Sequence, residues 1–382
     1  MKKKIMNGIF SALFLLALLA PLCALDLRPS GKSATENRSL AEFPQMIDQR
    51  GKISVHEVFS FENWFNDHIG FRSACSEAVA KVMLNVFHSS PSTQVHIGRS
   101  GWYYYTLDNN LQIPFGLFPL GERTLQNIAA CQESIRTDLE EMGISYILVI
   151  TPSKASIYPE YVCSRGLTVR ETPIDTLTAY LRAHTGVNIV NTKPALLDAK
   201  ANGEQVYHKT DTHWNTLGSY AGFLSIADAV EQVTGKSLAE FELTYQSSER
   251  SGDLYGLMHA RGFMEPETVT ECVISSPQAT KAEDPALYDA LEQIQNQPGS
   301  GWQGPIEIRR NASAQGTILL FGDSFFGPNY HISDYFAECY GETVLIRCTT
   351  AYREAIQLVS PDVVIMEITE RGIPLLCDRV LN

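Results

Sequence analysis

The chain of 382 residues is 44% hydrophobic and carries 30 basic against 43 acidic side chains, for a formal net charge of -13. This length is sufficient for one large domain or two modest ones. The acidity argues against a nucleic-acid partner, because surfaces that bind nucleic-acid phosphate are basic.

The first 25 residues have the composition of an export signal. Three lysines at positions 2–4 precede an apolar run that continues to Leu25. The run approaches membrane-spanning length and lacks a clear cleavage site, so a cleaved signal peptide and an N-terminal membrane anchor both remain open. In either case we expect the rest of the chain to work outside the cytoplasm, in the periplasm or at the cell surface.

Residues 26–94 predict an extended lead-in followed by a short helical region. Positions 26–55 are polar and turn-rich, whereas positions 54–87 carry aromatic and aliphatic residues at helical spacing, interrupted at Gly70. We therefore predict two helices between 54 and 87.

Residues 95–382 predict one α/β domain. Helical patterns alternate with short apolar runs, and these runs are continuous rather than alternating, which indicates a largely parallel sheet with helices on both faces. One helix is expected to begin after Asn215, a residue type that caps helices. The polar stretch 278–305 is expected to decorate the surface. The predicted helices are 122–143, 172–186 and 215–235, and the predicted strands are 101–106, 144–150, 187–190, 317–322, 343–347 and 362–368.

The eight cysteines are spread along the chain without any C-x-x-C spacing. This distribution argues against a zinc ribbon and against a dense disulfide scaffold, and it leaves room for one or two disulfides.

The stretch "HKTDTHWN" at 208–215 gathers unusual chemistry into eight positions. Asp211 and His213 are two residues apart, so in an extended segment both side chains would leave on the same face. The carboxylate would then hold one imidazole nitrogen while the other faces outward. A metal site formed by His208, Asp211 and His213 has suitable residue types, but it lacks an obvious fourth ligand, and we predict none.

A second motif follows the apolar run at 317–322, where the chain continues as "GDSFFGPNY". Reactive groups of α/β folds lie at the carboxyl ends of strands. Gly322 allows a tight turn that lifts the hydroxyl of Ser324 off the sheet edge, and the Ser324 backbone N–H is a candidate oxyanion donor. A serine nucleophile requires a base, normally an imidazole oriented by a carboxylate, and the first motif contains both. Asp323 is not counted as the triad acid.

Several stretches in this order make the chain resemble a known family. They are "ENRSLAEFP" (36–44), "FNDHIGFR" (65–72), "GRSGWYYY" (98–105), "ITPSKASIYPE" (150–160), "KTDTHWN" (209–215), "SGDLYGLM" (251–258), "FGDSF" (321–325) and "PDVVIMEITER" (361–371). Together they resemble the AlgX/AlgJ-type SGNH hydrolase-like acetyltransferases, which include the alginate O-acetylation proteins and relatives named for a D-x-H-W motif.

This resemblance implies an SGNH-hydrolase-like domain with Ser324 as nucleophile, His213 as base and Asp211 as the residue that orients it. It also implies Tyr330 as a residue near the oxyanion. Family members receive acetyl groups from a membrane-bound O-acyltransferase and transfer them to hydroxyls of an exopolysaccharide, without a cofactor. A carbohydrate-binding module is not recognisable after residue 371, which resembles the membrane-anchored AlgJ arrangement.

Two further residues are candidates for substrate contact. Trp214 would either present an aromatic face to a sugar ring or pack in the core at a helix start. Lys154, in the loop after the run 144–150, would either contact an acidic polysaccharide or form a structural ion pair.

The sequence therefore predicts an extracytoplasmic, membrane-associated O-acetyltransferase that modifies a cell-surface or secreted polysaccharide through an acyl-serine. A carbohydrate esterase or deacetylase with the same triad remains an alternative. A non-catalytic scaffold subunit of a polysaccharide export complex is the other alternative, although a scaffold has no physical need for all three triad residues.

Overall fold

The computed structural model describes residues 2–27, 31, 39–45, 55–162, 166–297, 301–302 and 304–378. Two compact units are formed: Met1–Val95 with Asp253–Glu265, and His96–Gly252 with Pro266–Asn382. The predicted division at residue 95 stays a prediction; the stretch 253–265, which it assigns to the larger domain, clusters with the smaller unit. The predicted lead-in at 26–55 lies mostly outside the described residues.

Helices are numbered in chain order. They are α1 (Lys2–Cys23), α2 (Val55–His68), α3 (Arg72–Asn85), α4 (Glu122–Glu141), α5 (Lys154–Ile157), α6 (Pro173–His184), α7 (Lys193–Ala201), α8 (Thr216–Thr234), α9 (Asp253–Leu257), α10 (Pro285–Gln295), α11 (Ile332–Cys339) and α12 (Arg353–Val359). The two helices predicted between 54 and 87 are α2 and α3. Asn215 caps α8 as expected, since its side-chain oxygen accepts a hydrogen bond from the Gly218 N–H at 3.0 Å.

Within the described residues, α1 alone is long and apolar enough to cross a membrane. Its window Lys4–Cys23 has a mean hydropathy of 2.1, and none of it is buried. An uncleaved anchor and an export signal have the same length and composition. The structure is therefore consistent with both alternatives for the N-terminus.

Strands are likewise numbered in chain order. They are β1 (Val95–Ile97), β2 (Tyr103–Tyr105), β3 (Ser145–Thr151), β4 (Asn188–Asn191), β5 (Leu243–Arg250), β6 (Glu267–Ile274), β7 (Thr280–Lys281), β8 (Glu307–Arg310), β9 (Thr317–Phe321), β10 (Glu342–Ile346) and β11 (Val363–Thr369). Each of the six predicted strands is present. The antiparallel hairpin of β5 and β6 was not predicted.

The larger unit is built around a seven-stranded sheet in the order β4-β3-β11-β9-β10-β8-β7. The five strands from β4 to β10 are parallel; β8 pairs antiparallel with β10, and β7, at the edge, pairs antiparallel with β8. This confirms the predicted α/β class with a largely parallel sheet. The strands β3, β11 and β9 are neighbours in the sheet. Their carboxyl ends therefore lie side by side, and the loops that follow them position the site described below.

Both faces of the sheet are covered by hydrophobic residues, as the continuous apolar runs predicted. Along β3, Tyr146, Leu148 and Ile150 join the core on one face. Ile147 and Val149 join the core on the other face. All five are at most 2% exposed. Strands buried on both faces therefore contain apolar residues at every position instead of every second one.

The stretch 278–305 was expected to decorate the surface, and most of its described residues are exposed or partly exposed, but it also forms regular structure. It contains β7 and α10, and α10 buries Leu291 and Ile294 against one face of the sheet. The apolar residues of α10 recur at helical spacing inside a polar composition, so the average polarity of the stretch conceals a helix with one buried face.

Candidate active site

The structure brings Asp211, His213 and Ser324 into one hydrogen-bonded chain. The Ser324 Oγ lies 2.7 Å from Nε2 of His213, across 111 positions of sequence. On the other side of the ring, Nδ1 lies 2.6 Å from Oδ1 of Asp211. For Nε2 to accept the serine proton, Nδ1 must carry hydrogen and donate it to Asp211. This is the arrangement of a nucleophile, a base and an orienting carboxylate.

The Asp211–His213 pair adopts its geometry in a bend, which differs from the extended segment assumed for the sequence. Oδ1 of Asp211 accepts hydrogen bonds from both the ring and the backbone N–H of His213, the latter at 3.1 Å. The carboxylate therefore folds back on its own chain, as aspartate does in turns. The two-residue spacing serves to close this bend.

The loop that holds the pair is fastened from below by Lys154. Its ammonium donates to the carbonyls of His208 and Lys209, each at 3.1 Å, and of Asp211 at 2.6 Å. Lys154 is only 3% exposed. The predicted contact with an acidic polysaccharide is therefore wrong, because the ammonium is buried under the loop and saturated by three carbonyls.

Glu267, at the start of β6, holds the same loop by accepting hydrogen bonds from backbone N–H groups of the loop. Its carboxylate accepts from the N–H of Lys209 at 2.8 Å and from the N–H of Thr210 at 2.9 Å. The Thr210 hydroxyl adds a third hydrogen bond of 2.6 Å. Glu267 was missed because the sequence contains no signal that links this strand to a loop nearly sixty positions earlier.

His208 is buried beside this carboxylate and does not reach the serine. Its Nδ1 lies 3.9 Å from Oε1 of Glu267 and has no hydrogen-bond partner among the described residues. Burial lowers the pKa of His208, against the opposing charges of Asp211 and Glu267. A neutral side chain enclosed in the loop fits a structural role.

Trp214 is a core residue, and its predicted contact with a sugar ring is wrong. The side chain is 0% exposed, so no face is open to a ligand. Its indole N–H donates to the carbonyl of Phe325 at 3.1 Å, and the two rings meet edge to face. Trp214 thereby joins the loop of the base to the turn of the nucleophile.

Gly322 and Tyr330 both lie beside the triad. A Cβ on Gly322 would lie 2.8 Å from Cβ of Phe326, so the turn requires glycine for space and not for a left-handed backbone. Tyr330 is 8% exposed and its ring stacks on the His213 imidazole, with centroids 5.1 Å apart. Its part at the oxyanion stays a prediction.

The serine begins a 3-10 helix, Ser324–Phe326, that is capped by Asp323. Oδ1 of Asp323 accepts from the Phe325 N–H at 2.8 Å, and its backbone carbonyl accepts from the Phe326 N–H at 3.3 Å. Because these two N–H groups are engaged, the Ser324 N–H itself is the candidate oxyanion donor at this turn. Asp323 is thus a capping residue, and the carboxylate that contacts His213 is that of Asp211.

A second acid, Glu367, lies beneath this turn and was not singled out in the sequence. It is 0% exposed, accepts from the Asp323 N–H at 3.0 Å and from the Thr151 hydroxyl at 2.5 Å. Burial, and next the charge of Asp323, raise the pKa of Glu367 well above its usual range. A glutamate inside the apolar run "DVVIMEI" was the available signal, since acids are rarely buried without a partner.

A cavity of about 420 Å³ opens at the same edge of the sheet, beginning one residue from the nucleophile. Its lining comes from the loops after β2 and β10, from Asp323 after β9, and from the end of β11 with the 3-10 helix Glu370–Asp378 that follows it. One guanidinium, that of Arg371, belongs to the lining. It lies over the rings of Tyr105 and Phe325, at 5.8 and 5.7 Å from their centroids.

A family model described as "SGNH hydrolase-like domain, acetyltransferase AlgX" matches residues 95–294 of this chain. The match covers just over half of the chain and includes Asp211 and His213. It ends before Ser324, whose place in the site depends on the geometry above.

Curated relatives include proteins named probable alginate O-acetylase AlgJ. The Pseudomonas aeruginosa protein is 25% identical over 185 residues, which cover 48% of this chain and 43% of the relative. The Pseudomonas putida protein is 28% identical over 139 residues, or 36% of this chain and 34% of the relative. The chain thus spans less than half the length of these relatives.

Two solved structures share the fold at low sequence identity. The O-acetyltransferase domain of Pseudomonas putida AlgJ aligns with a TM-score of 0.50 and 18% identity, covering 74% of this chain and 92% of that domain. Bacillus cereus PatB1 with a sulfonyl adduct aligns with a TM-score of 0.50 and 15% identity, covering 73% and 95%. These likenesses support the SGNH-hydrolase-like fold.

Proposed function

The chain belongs to the AlgX family of SGNH hydrolase-like acetyltransferase domains, and from this premise we propose that it is an extracytoplasmic polysaccharide O-acetyltransferase. The proposal covers a serine-dependent, two-step transfer in which Ser324 carries the acetyl group between a donor and a glycan hydroxyl. The relatives named as alginate O-acetylases support this reaction class.

One observation carries the proposal: the continuous hydrogen-bonded chain from Asp211 through His213 to Ser324. Two contacts of 2.6 and 2.7 Å join groups from two distant segments. A scaffold protein gains no stability from such an alignment that simpler packing would not supply. The arrangement is matched to proton transfer from a serine hydroxyl.

In the first step, the Ser324 hydroxyl transfers its proton to Nε2 of His213 as Oγ attacks the acetyl carbonyl carbon. The carbonyl electrons move to oxygen, and the Ser324 N–H stabilises the resulting oxyanion. Asp211 stabilises the imidazolium through Nδ1. Collapse of the intermediate releases the donor's leaving group, which takes the proton from Nε2, and leaves acetyl on Oγ.

In the second step, a glycan hydroxyl replaces the departed donor beside His213. Nε2 of His213 takes the proton of the glycan hydroxyl as the glycan oxygen attacks the carbonyl carbon of the acetyl-serine. The second oxyanion then collapses, the bond from carbonyl carbon to Oγ breaks, and the proton returns from Nε2 to Ser324. Water in place of the hydroxyl gives acetate, so acceptor binding separates transfer from ester hydrolysis.

The acetyl donor and the location form the finer part of the proposal. We propose that α1 directs the chain across a membrane or anchors it there, and that a membrane-bound O-acyltransferase supplies the acetyl group. The length and apolarity of Lys4–Cys23 support the first point. The second point follows from what the resemblance to the AlgX/AlgJ-type acetyltransferases implies.

The test compares wild-type protein with Ser324→Ala, and uses Ser313→Ala as a matched control on an exposed loop. A chromogenic acetyl ester serves as donor and an oligosaccharide as acceptor, with acetylated product measured by mass spectrometry. We expect Ser324→Ala to lower transfer by about a thousandfold or more without changing the thermal unfolding midpoint.

The wild-type protein should also form an acetyl adduct on the peptide that contains Ser324. Release of acetate alone with every acceptor would indicate an esterase. Undiminished transfer by Ser324→Ala would refute the assigned nucleophile.

A further inference from the structure

The cavity beside the nucleophile turn has the features of a sugar subsite. Its volume of about 420 Å³ lies within the usual range for small-ligand pockets. Phe118, Ile368, Pro374 and Leu375 supply an apolar wall, and Asn109 and Thr349 supply neutral hydrogen-bonding groups. An apolar wall with a few convergent polar groups suits a sugar ring, which has apolar C–H faces and a polar rim.

The charges in this cavity are unfavourable for an acidic sugar. Asp108 and Asp323 contribute two carboxyl groups to the lining, against the single guanidinium of Arg371. Arg371 is already stacked between two aromatic rings.

Lys154, near the same ends of the strands, is not available to a ligand. Lys154 is buried under the loop of the base, where three carbonyls surround its ammonium. Asp211 adds another carboxylate next to the nucleophile. The chain as a whole carries a formal net charge of -13, so its long-range field also repels polyanions.

We infer that this cavity is the acceptor subsite of the proposed transferase and that it takes an uncharged sugar unit in preference to a uronate. The inference rests on the proposed function and adds the class of acceptor. An uncharged unit retains its hydroxyls for Asp108, Asn109 and Thr349. A uronate brings a carboxylate next to Asp108 and Asp323, which opposes binding through like-charge repulsion.

The experiment uses the full chain in detergent, a chromogenic acetyl ester as donor, and two acceptors of equal length and linkage. One is a mannose oligomer and the other a mannuronate oligomer, which differ only in a hydroxymethyl or a carboxylate at C6. We expect kcat/KM for the neutral acceptor to exceed that for the uronate by about tenfold at low salt, with the gap shrinking as salt screens the repulsion.

Asp108→Asn tests the source of the discrimination, with Glu141→Gln as a control that removes the same charge. Glu141 ends α4 just before β3 begins, near the amino ends of the parallel strands, whereas Ser324 follows the carboxyl end of β9. Asp108→Asn should reduce the ratio of neutral to uronate kcat/KM by about threefold or more, and Glu141→Gln should leave the ratio near the wild-type value.

Equal or faster transfer to the uronate would overturn the inference while leaving the transferase intact. An equal change of the ratio by both variants would also overturn it, because the discrimination would then arise from net charge and not from this cavity. Failure to acetylate either oligomer, with release of acetate only, would instead refute the proposed transferase on which the inference rests.

Discussion

The loop 208–215, which carries the base, and the turn 322–327, which carries the nucleophile, are held in place by different kinds of contact. The loop is fastened from outside, by the ammonium of Lys154 and by the carboxylate of Glu267. The turn is shaped largely by its own residues, through the cap at Asp323 and the close packing of Gly322 on Phe326, with Glu367 beneath it accepting from the Asp323 N–H.

This difference has a physical reason. The nucleophile follows directly from β9, so the strand and a short 3-10 helix determine where Ser324 lies. The base lies in a bend between α7 and α8 and does not follow directly from a strand, so the backbone carbonyls and N–H groups of this loop need partners from remote elements. The loop should therefore be more sensitive to distant substitutions, and the turn to substitutions within it.

The largest effect is expected from Lys154→Met, which removes the fastening of the loop without touching the triad. Three carbonyls lose their charged donor, which should cost about 3 kcal/mol in the free energy of unfolding. Transfer should also fall, by about tenfold or more, because His213 is no longer held opposite Ser324. Chemical denaturation and kcat measure the two effects.

Lys281→Met is the control for this prediction, since Lys281 is exposed and substitution there should change stability by about 0.5 kcal/mol at most. If Lys154→Met retained both wild-type stability and wild-type kcat, the loop would not depend on its remote contacts, and the contrast between the two segments would fail.

A smaller effect is expected from Gly322→Ala within the turn. The added Cβ would lie 2.8 Å from Cβ of Phe326, so ring and backbone must move, at a cost of about 1–3 kcal/mol. Gly262→Ala is the matched control, because its Cβ meets only ordinary contacts of 3.5 Å or more. Thermal unfolding should separate the two variants, and equal midpoints would show that the turn adapts freely.

The smallest effect is expected from Glu367→Gln, which imitates the neutral acid beneath the turn. The pKa of the Glu367 carboxyl is raised in the folded state. Such a group contributes its full share of the unfolding free energy below the pKa of the unfolded state, and this contribution is lost as pH rises through the pKa of the folded state. Glutamine does not titrate, so the variant should match wild type near pH 4 and become relatively more stable by about 1 kcal/mol near pH 8. Parallel pH profiles of unfolding free energy would contradict a neutral Glu367.

Much of the fold was predictable because its strongest signals are local. All six predicted strands and the three predicted helices of the larger unit are present, since continuous apolar runs and helical spacing reflect burial directly. The hairpin of β5 and β6 was missed because β5 is mostly polar and exposed and β6 is buried over only part of its length, so the pair carries little of that signal. In 278–305, a buried face was concealed by the polar remainder of α10.

For the candidate site, residue types predicted the triad members but not their surroundings. The chemistry of serine activation required an imidazole and a carboxylate, and the sequence contained them at Asp211 and His213. Lys154 and Trp214 were considered for substrate contact, beside structural alternatives, because charge and aromaticity suit glycans. Their burial depends on neighbours from distant segments, and spacing along the chain contains no record of those neighbours.

The sequence by itself determined the fold class, the apolar N-terminal segment and the residue types of the proposed chemistry, because propensity, apolar periodicity and side-chain chemistry are properties of short stretches. Only the tertiary structure decided which cations support the loop, which acid lies neutral beneath the serine, and which charges face the adjacent cavity. Those outcomes arise from contacts between residues more than forty positions apart, where desolvation and hydrogen bonding depend on the folded surroundings.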